Sequence, residues 1–373
     1  MYNNNILIGI FKNNKKESIE YLNELKNLLK IFNGKVYKKF LQRKIKPNNL
    51  TFVGKGFLNK ILKYINKKKN IDTVIFDDEL SLNQIKNIEN KLKCNITDRT
   101  KLILDIFSYK ARTYYAKIQV KLAQYEYLLP RLKHMWSHLK RQKGGIGLRG
   151  PGEKEIETDR RLIRTTIKNL KNKLKKINKQ IIIQRNNRIN YISIALVGYT
   201  NVGKSTIINK ITNKNLLTEN KFFSTLDTKV TNFFIKKKKI LLVDTIGFLR
   251  KIPTKLIESF KSSILEIKKS NIILHIIDIS SNFILEKFIY VTNFLLHELS
   301  IYNKDIIIVF NKIDKFKKFN LSLLKKKFDV LFLNNKYFIY KNIKYFYICI
   351  STKNIKDISR LKMLIYNVSF KKY

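Results

Sequence analysis

The stretch Gly198-Tyr-Thr-Asn-Val-Gly203-Lys204-Ser205-Thr206 decides the fold of the C-terminal half of the chain. It follows an apolar run, Tyr191 to Val197, that predicts a buried parallel strand, and it leads into a helical pattern that begins at Thr206. A strand, a glycine-bounded turn and a helix N-terminus in this order predict a phosphate-binding loop, because glycine lets backbone N–H groups turn toward an anion. Lys204 is then placed to reach the outer phosphates, and the Ser205 hydroxyl to bind Mg²⁺. The alternative is a chance match in a glycine-containing turn.

A second motif follows the apolar strand Leu241 to Val243, which ends in Asp244 with Gly247 three residues later. Asp244 can hold Mg²⁺ directly or through water. The N–H of Gly247 can contact a γ-phosphate, because the backbone closes on it without a side chain. Between the two motifs lies Phe223-Ser-Thr225-Leu-Asp-Thr228, where a threonine is expected to close on the metal and the γ-phosphate. We favour Thr225, with Thr228 as the alternative.

Two further motifs predict recognition of guanine. The apolar strand from Ile306 ends in Asn311-Lys-Ile-Asp314, and a later strand ends in Ser351-Thr-Lys353. The carboxylate of Asp314 can accept two N–H bonds from guanine, whereas adenine would leave that charge unpaired. Asn311 would brace the loop, Lys312 would lie along the base, and Ser351-Thr-Lys353 would give the base a backbone N–H.

These four motifs define the predicted nucleotide site. The residues predicted to contact GTP are Gly198, Tyr199, Thr200, Asn201, Val202, Gly203, Lys204, Ser205, Thr206, Phe223, Thr225, Asp244, Gly247, Asn311, Lys312, Asp314, Ser351, Thr352 and Lys353. The predicted catalytic groups are Lys204, Thr225 and Gly247, and the predicted Mg²⁺ ligands are Ser205, Thr225 and Asp244.

Strand and helix patterns alternate from Tyr191 onward. Strands are predicted at 191–197, 229–235, 240–243, 271–278, 305–310 and 343–350, and helices at 204–213, 256–269, 284–300, 320–328 and 354–367. Lys236 to Lys239 form a charged turn between the second and third strands. The pattern predicts an α/β fold, a P-loop domain with a mostly parallel sheet and one antiparallel pair, whose ligand lies beyond the carboxyl ends of the strands.

The N-terminal half predicts two further parts. Residues 1–105 alternate strand and helix as a small α/β unit, with Ser81 as an N-cap. Residues 106–189 predict two long helices in an antiparallel hairpin, with Pro130 at a kink or break. The predicted domains are therefore 1–105, 106–189 and a GTPase domain at 190–373.

A glycine-rich loop separates the two long helices, and five of the chain's twelve glycines fall in residues 144–152. So dense a cluster predicts neither a helix nor a core. From Arg160 to Asn190 the chain has eleven Lys or Arg and no Asp or Glu, which suits close approach to phosphate-rich RNA. A flexible linker with a solvated helix is the alternative. The predicted RNA contacts are Lys143, Gly144, Gly145, Gly147, Arg149, Gly150, Gly152, Arg160 and Arg161.

The composition agrees with a nucleic-acid partner. The 373 residues carry a formal charge of +50, which draws a protein to polyanions, although an A+T-rich coding sequence would also enrich lysine. Cys94 and Cys349 lie far apart, as in a reducing compartment, and His134 with His138 lacks a third metal ligand. No apolar run is long enough to span a membrane, and the N-terminus resembles a strand rather than a signal peptide, so we expect a cytoplasmic protein. We also expect a monomer.

With the glycine loop, the motifs resemble the HflX family of ribosome-associated GTPases, of the translation-factor-like class. The resemblance is carried by Gly144–Glu153 with Glu157–Arg161, Gly198–Thr206, Thr225–Asp227 and Asp244–Phe248, and it covers nearly the whole chain. It implies binding to the large ribosomal subunit and its rRNA, approach of the hairpin loop to the peptidyl-transferase centre, and GTP-dependent splitting or rescue of stalled ribosomes.

The chain departs from the family pattern at three points. Leu148 stands where a small polar residue is usual, Thr228 stands where proline is usual, and little sequence follows Lys353 for the C-terminal domain of longer relatives. The resemblance therefore does not carry contacts made through that domain over to this chain.

The residue after Gly247 bears on hydrolysis. Phe248 occupies the position of a water-orienting glutamine, so we expect slow hydrolysis alone and stimulation by the ribosome. Asn201 resembles an asparagine that helps some GTPases hold K⁺. The alternatives are a GTPase in large-subunit assembly and an RNA-binding module with GTP as a structural ligand; Asp314 argues against an ATP-driven helicase.

Overall fold

The computed structural model describes residues 2–68, 70–135, 151–186, 188, 190–213, 229–250, 261–281, 283–316, 332–333, 337–340 and 343–370. These residues form two compact units, one within residues 1–174 and one within residues 175–373. The boundary predicted at residue 105 stays a prediction. Within the described ranges, no helix combines the length and the apolar character that a membrane-spanning segment needs.

The first unit contains a four-stranded parallel sheet in the order β2-β1-β3-β4. Its elements are β1 (Asn4–Phe11), α1 (Lys15–Leu29), β2 (Lys35–Arg43), α2 (Lys55–Lys68), β3 (Thr73–Phe76), α3 (Leu82–Leu92), β4 (Asn95–Asp98) and α4 (Arg99–Lys110). The predicted α/β character is confirmed, but β4 was not predicted. Only Ile96 and Asp98 of its four residues are buried, and Ile96 is the one apolar residue among the four. The sequence therefore has no apolar run that would indicate a strand here.

Two long helices follow, α5 (Tyr114–Met135) and α6 (Pro151–Asn186). At 1.5 Å per residue, the 36 residues of α6 extend about 54 Å. The two helices meet at an ion pair in which Lys171 Nζ lies 2.8 Å from Glu126 Oε1. The prediction that the whole glycine cluster lies outside a helix is wrong for Gly152, because α6 begins at Pro151. Proline favours the first helical position, where its missing N–H costs no hydrogen bond.

Of the kink or break predicted at Pro130, the break is wrong, because α5 continues through this residue; the kink stays a prediction. Contacts on either side of the proline fix the chain. The hydroxyl of Tyr127 donates to both carboxylate oxygens of buried Asp98 at 3.0 Å, and Arg131 lies 3.4 Å from the same carboxylate. The Arg131 guanidinium also stacks on the Tyr127 ring, 3.4 Å from its centroid. These contacts hold α5 against the end of β4.

The second unit contains an eight-stranded sheet in the order β10-β11-β12-β9-β8-β5-β7-β6. Its elements are β5 (Ile192–Gly198), α7 (Lys204–Thr212), β6 (Lys229–Ile235), β7 (Lys238–Asp244), α8 (Lys261–Lys269), β8 (Ile272–Asp278), α9 (Ile284–Asn293), β9 (Asp305–Asn311), β10 (Phe332–Leu333), β11 (Tyr337–Tyr340), β12 (Ile343–Ile350) and α10 (Ile355–Phe370).

This sheet confirms the predicted fold class. Strands β12, β9, β8, β5 and β7 are parallel, and β6 pairs antiparallel with β7 as expected. The short antiparallel strands β10 and β11 were not predicted. The helix predicted at 320–328 lies outside the described residues.

Helix α3 offers a test of the local interactions in the first unit. Ser81 Oγ accepts from the Gln84 N–H at 3.3 Å, and Gln84 Oε1 accepts from the Ser81 N–H at 2.9 Å. We expect Ser81→Ala to lower the free energy of unfolding of this unit by about 1 kcal/mol, because an N–H at the helix start loses its acceptor. Denaturant unfolding measures the change. Ser81→Thr keeps the hydroxyl and serves as the control; an equal loss in both variants would contradict the role of the cap.

Candidate nucleotide-binding site

The predicted motifs of the second unit meet at one edge of its sheet. Strands β5, β7, β8, β9 and β12 all end there, since they run parallel. The loop after β5 leads into α7 through Gly203, which is the N-cap of that helix. This is the crevice where doubly wound sheets bind their ligands.

The two glycines of the phosphate-binding loop are required by its geometry. Gly198 has φ +150°, and a Cβ there would lie 2.3 Å from the Ile276 carbonyl oxygen. Gly203 has φ +100°, and a Cβ there would lie 2.5 Å from Asn311 Nδ2. Asn201, between them, has φ 60°, in the left-handed region that asparagine tolerates. The loop is therefore packed closely against β8 and the end of β9.

Lys204 is folded back onto the loop that precedes it. Its ammonium donates to the carbonyl oxygens of Gly198 at 3.2 Å and Tyr199 at 2.9 Å. Burial lowers the pKa of Lys204 to about 8, while the charge of Asp244 acts in the opposite direction. These carbonyl contacts hold the ammonium beside the loop, at the position from which a side chain of this length can reach a phosphate.

Ser205 and Asp244 form the candidate metal site. The Ser205 hydroxyl donates to Asp244 Oδ2 at 2.6 Å, while the buried Oδ1 of Asp244 has no hydrogen-bond partner among the described residues. Burial raises the pKa of Asp244, although the Lys204 charge and the Ser205 hydrogen bond lower it. A hydroxyl beside a carboxylate with one unused oxygen fits Mg²⁺, which prefers oxygen ligands.

The segment after Asp244 runs along the phosphate-binding loop. The Thr200 N–H donates to the Phe248 carbonyl at 3.0 Å, and the Phe248 N–H donates to the Gly198 carbonyl at 3.0 Å. A Cβ on Gly247 would lie 2.7 Å from Thr200 Cγ2 and 3.0 Å from Lys204 Nζ. Gly247 is therefore held against the loop, as its predicted contact with a phosphate requires.

The side chain of Phe248 points away from the site. It is 8% exposed, belongs to the hydrophobic core of the unit, and its ring centroid lies 4.9 Å from that of Phe294. A side chain packed in this way cannot orient a water molecule at the phosphates.

Asn311 and Lys312 brace the phosphate-binding loop from β9. Asn311 Nδ2 donates to the Val202 carbonyl at 2.8 Å. Lys312 Nζ donates to the Asn201 carbonyl and to Asp278 Oδ2, both at 2.7 Å. Burial alone would raise the pKa of Asp278, but the hydrogen bonds from Lys312 and Ser280 hold it below its usual range.

Asp278 was not predicted as a site residue. Its signal was present in the sequence, since the apolar strand β8 ends in this carboxylate, as β7 ends in Asp244. The position carries no motif by itself, because its partner Lys312 is far along the chain.

Asp314 and the loop after β12 form the candidate base site. Ser351 Oγ donates to Asp314 Oδ1 at 2.8 Å, and Lys353 Nζ lies 2.9 Å from Oδ2. The hydrogen bond from Lys353 lowers the pKa of Asp314. The Ser351 N–H donates to Asp357 Oδ2 at 2.9 Å, which ties this loop to the first turn of α10. The predicted base-binding residues are thus brought together.

The remaining predicted residues are distributed as follows. Tyr199, Thr200 and Val202 are buried in the loop, and Thr206 and Thr352 are partly exposed beside it. Arg160 and Arg161 lie on α6, and Gly152 in its first turn. Phe223, Thr225, Thr228, Lys143, Gly144, Gly145, Gly147, Leu148, Arg149 and Gly150 lie outside the described residues. No group of three or more His, Cys, Asp or Glu among the described residues could hold a metal.

Three family models match successive parts of the chain. They are described as GTP-binding GTPase N-terminal, over residues 19–108, GTP-binding GTPase Middle Region, over residues 110–188, and 50S ribosome-binding GTPase, over residues 193–312. Together they span both units.

Curated relatives and a solved structure agree with these matches. GTPase HflX of Flavobacterium psychrophilum is 49% identical over 84% of this chain and 76% of its own length. GTPase HflX of Escherichia coli is 37% identical over 84% of this chain and 74% of its own length. The crystal structure of a complex of SsGBP with GDP is 25% identical, covers 98% of each chain and has a TM-score of 0.52.

The close contact at Gly203 predicts the effect of one added methyl group. We expect Gly203→Ala to weaken GDP binding at least about tenfold and to cost about 1–3 kcal/mol of stability, because the left-handed backbone and the Asn311 amide both oppose a Cβ. Calorimetric titration with GDP and thermal unfolding measure the two effects.

Gly56→Ala is the matched control, since a Cβ there meets nothing within 4 Å and the residue lies in α2. It should leave GDP affinity unchanged and raise stability by up to about 1 kcal/mol. Unchanged GDP affinity in Gly203→Ala would show that the loop does not depend on this glycine.

Proposed function

Because this chain belongs to the HflX family of GTPases, and so hydrolyses GTP, we propose that it does so on the large ribosomal subunit and helps to split or rescue stalled ribosomes. The observation that carries the proposal is the combination of the nucleotide site in the second unit with the basic helix α6. The description 50S ribosome-binding GTPase, attached to the model that matches residues 193–312, supports the same partner. We place the protein in the cytoplasm, as a monomer that binds rRNA and GTP or GDP.

The nucleotide binds at the edge of the sheet described above. Ser205 and Asp244 would hold Mg²⁺ together with Thr225, and the bound ion supplies positive charge at the outer phosphates. Lys204 exchanges its carbonyl contacts for phosphate oxygens, and the Gly247 N–H donates to the γ-phosphate. Asn201 is proposed to help hold K⁺ near the same phosphates.

The base is selected by Asp314. Its carboxylate releases Lys353 and accepts the N1 and N2 protons of guanine, while the loop at Ser351, Thr352 and Lys353 offers a backbone N–H. Asn311 and Lys312 keep the phosphate-binding loop in place, since they already bind the carbonyl oxygens of Val202 and Asn201. Adenine offers no such pair of donors.

Hydrolysis depends on water placement from outside the chain. The buried ring of Phe248 offers no hydrogen bond to water, whereas Lys204 and backbone N–H groups stabilise charge. We propose that the ribosome orders the Thr225 and Gly247 segments and so accelerates the reaction.

The arm formed by α5, α6 and the residues between them is proposed to contact rRNA. From Arg160 to its end at Asn186, α6 carries ten Lys or Arg and no Asp or Glu, whereas its acidic residues, Glu153, Glu155, Glu157 and Asp159, all precede Arg160. The proposed contacts are Lys143, Gly144, Gly145, Gly147, Arg149, Gly150, Gly152, Arg160 and Arg161.

Turnover with and without ribosomal particles tests this proposal. We expect purified large subunits to raise multiple-turnover phosphate release, and to co-sediment with the chain more strongly in a non-hydrolysable GTP analogue than in GDP. Removal of residues 144–152 should abolish both effects and leave the basal turnover unchanged, because the nucleotide site lies in the other unit.

The outcomes separate the alternatives. Nucleotide-independent sedimentation without stimulated turnover would indicate an RNA-binding module with GTP as a structural ligand. Binding to immature large subunits alone would indicate a role in assembly. Equal turnover with and without ribosomes would exclude the proposed stimulation.

Base selection gives a second prediction. We expect Asp314→Asn to weaken GDP binding about 100-fold or more, because guanine N–H donors lose their carboxylate. The same variant should gain affinity for xanthosine diphosphate, whose C2 oxygen can accept from the new amide. Asp305→Asn removes an equal charge from the opposite end of β9, where the side chain is exposed, and should change neither affinity. Equal losses in the two variants would contradict base recognition by Asp314.

A further inference from the structure

Four consecutive lysines lie at the end of the eight-stranded sheet opposite to the nucleotide site. Lys236 to Lys239 connect β6 with β7 and begin β7, whereas Asp244 ends that strand. Seven residues of strand at about 3.4 Å each separate the two ends by roughly 20 Å. No step at the nucleotide site uses these lysines.

The backbone of this turn is unusual for lysine. Ile235 pairs with Lys238, so the turn has two residues, Lys236 with φ 45° and Lys237 with φ 63°. Turns with two positive φ angles strongly prefer Asn-Gly, because a larger side chain crowds the left-handed backbone. An A+T-rich coding sequence does not explain why lysine occupies this turn, since the same bias makes the chain rich in asparagine, which the turn prefers. A left-handed backbone that carries lysine instead of the favoured residue types points to a role for the side chain.

Aromatic rings hold the lysines around the hairpin. Lys236 Nζ lies 4.8 Å from the ring centroid of Tyr366, and Lys238 Nζ lies 5.8 Å from that of Phe370, both on α10. On the other side of the hairpin, Lys239 Nζ lies 4.4 Å from the ring centroid of Tyr191. Cations are attracted to ring faces, so Lys236 and Lys238 are held on the side of the hairpin that faces α10 and Lys239 on the other side, and the charges surround the end of the hairpin.

Two exposed aromatic side chains complete the patch. Phe234 is 67% exposed and stands directly across the strand pair from Lys239, which places the two side chains on one face. Tyr191, which contacts the same lysine, is 39% exposed. Exposed rings beside a cation can stack on unpaired bases while the cation binds phosphate.

The stretches of sequence around the patch carry no acidic residues; Asp244 and Asp357 lie at the far ends of β7 and α10. Residues 185–198, 229–243 and 358–373 contain no Asp or Glu. The chain thus presents a positive potential here that no carboxylate on the same segments offsets.

We propose that this hairpin patch, formed by Lys236–Lys239, Phe234 and Tyr191, binds a single-stranded segment of RNA. The lysines bind phosphates, and the rings of Phe234 and Tyr191 stack on bases. An acidic protein would use the charge but not the two exposed rings. The patch lies far from Asp244 and Lys204, so its affinity for RNA is independent of the nucleotide, unlike that of the arm formed by α5 and α6.

The test uses the full chain with GDP and poly(U) RNA as the probe, titrated over a range of salt concentrations. The double variant Lys236→Asn with Lys237→Gly removes two charges and supplies the residues that the turn prefers. The slope of log affinity against log salt should fall by about 1.4, since each phosphate contact in single strands contributes about 0.7. At 0.1 M salt this corresponds to a loss of roughly 25-fold in affinity.

The same variant should be at least as stable as the original chain, so lost binding cannot be attributed to unfolding. Lys60→Gln with Lys63→Gln, on the exposed face of α2, removes the same charge and should leave the slope unchanged. Phe234→Ala should weaken poly(U) binding about tenfold without changing the slope, because it removes stacking rather than charge.

Three results would overturn the proposal: an unchanged slope in the turn variant, an equal loss in the α2 control, or equally strong binding of polyglutamate through the same lysines. A chain that lacks residues 144–152 separates the contribution of the patch from that of the arm. In this shortened chain the turn variant should still lower the affinity for poly(U), even if the proposed ribosomal function of the arm fails.

Discussion

The close approach of Gly203 to Asn311 is the constraint on which the nucleotide site depends. A Cβ on Gly203 would lie 2.5 Å from Asn311 Nδ2, so no side chain fits between the two residues. The same Nδ2 donates a hydrogen bond to the Val202 carbonyl. The phosphate-binding loop and the base-binding loop are therefore fixed to each other before any ligand arrives. Lys312 extends the connection to Asp278 on β8, so three strand ends share one hydrogen-bonded network.

Much of this arrangement was predictable because each motif follows an apolar strand of a parallel sheet, and parallel strands end together. The carboxylate of Asp278 escaped prediction because its function depends on a lysine that only folding brings near. The break predicted at Pro130 is wrong for a related reason. The local cost of proline in a helix is overcome by tertiary contacts of Tyr127 and Arg131 with Asp98, and no local pattern reveals those contacts. Strands β4 and β10 are too short, or too polar, for periodicity to detect.

The two units use buried charge differently. In the first unit, Arg99 is 2% exposed and forms ion pairs with Glu24 and Asp77, with Arg99 Nη1 2.7 Å from Asp77 Oδ1. Paired charges of this kind fix the geometry of packed helices and strands. In the second unit, one buried oxygen of Asp244 has no partner among the described residues, which is costly unless a ligand supplies one. The second unit is therefore expected to gain stability when its site is occupied.

Strand β6 is the outermost strand of its sheet, and its hairpin ends in lysines. An open strand edge is a template on which a second molecule can add a strand, and charged side chains at such an edge prevent this by electrostatic repulsion. Lys229 begins β6 and Lys236–Lys239 follow its last residue, so positive charge flanks this edge strand at both ends and opposes the addition of a second strand. When bound anions neutralise these lysines, the electrostatic repulsion at the strand edge is lost. The solubility of the protein at low ionic strength then depends on which anions are present.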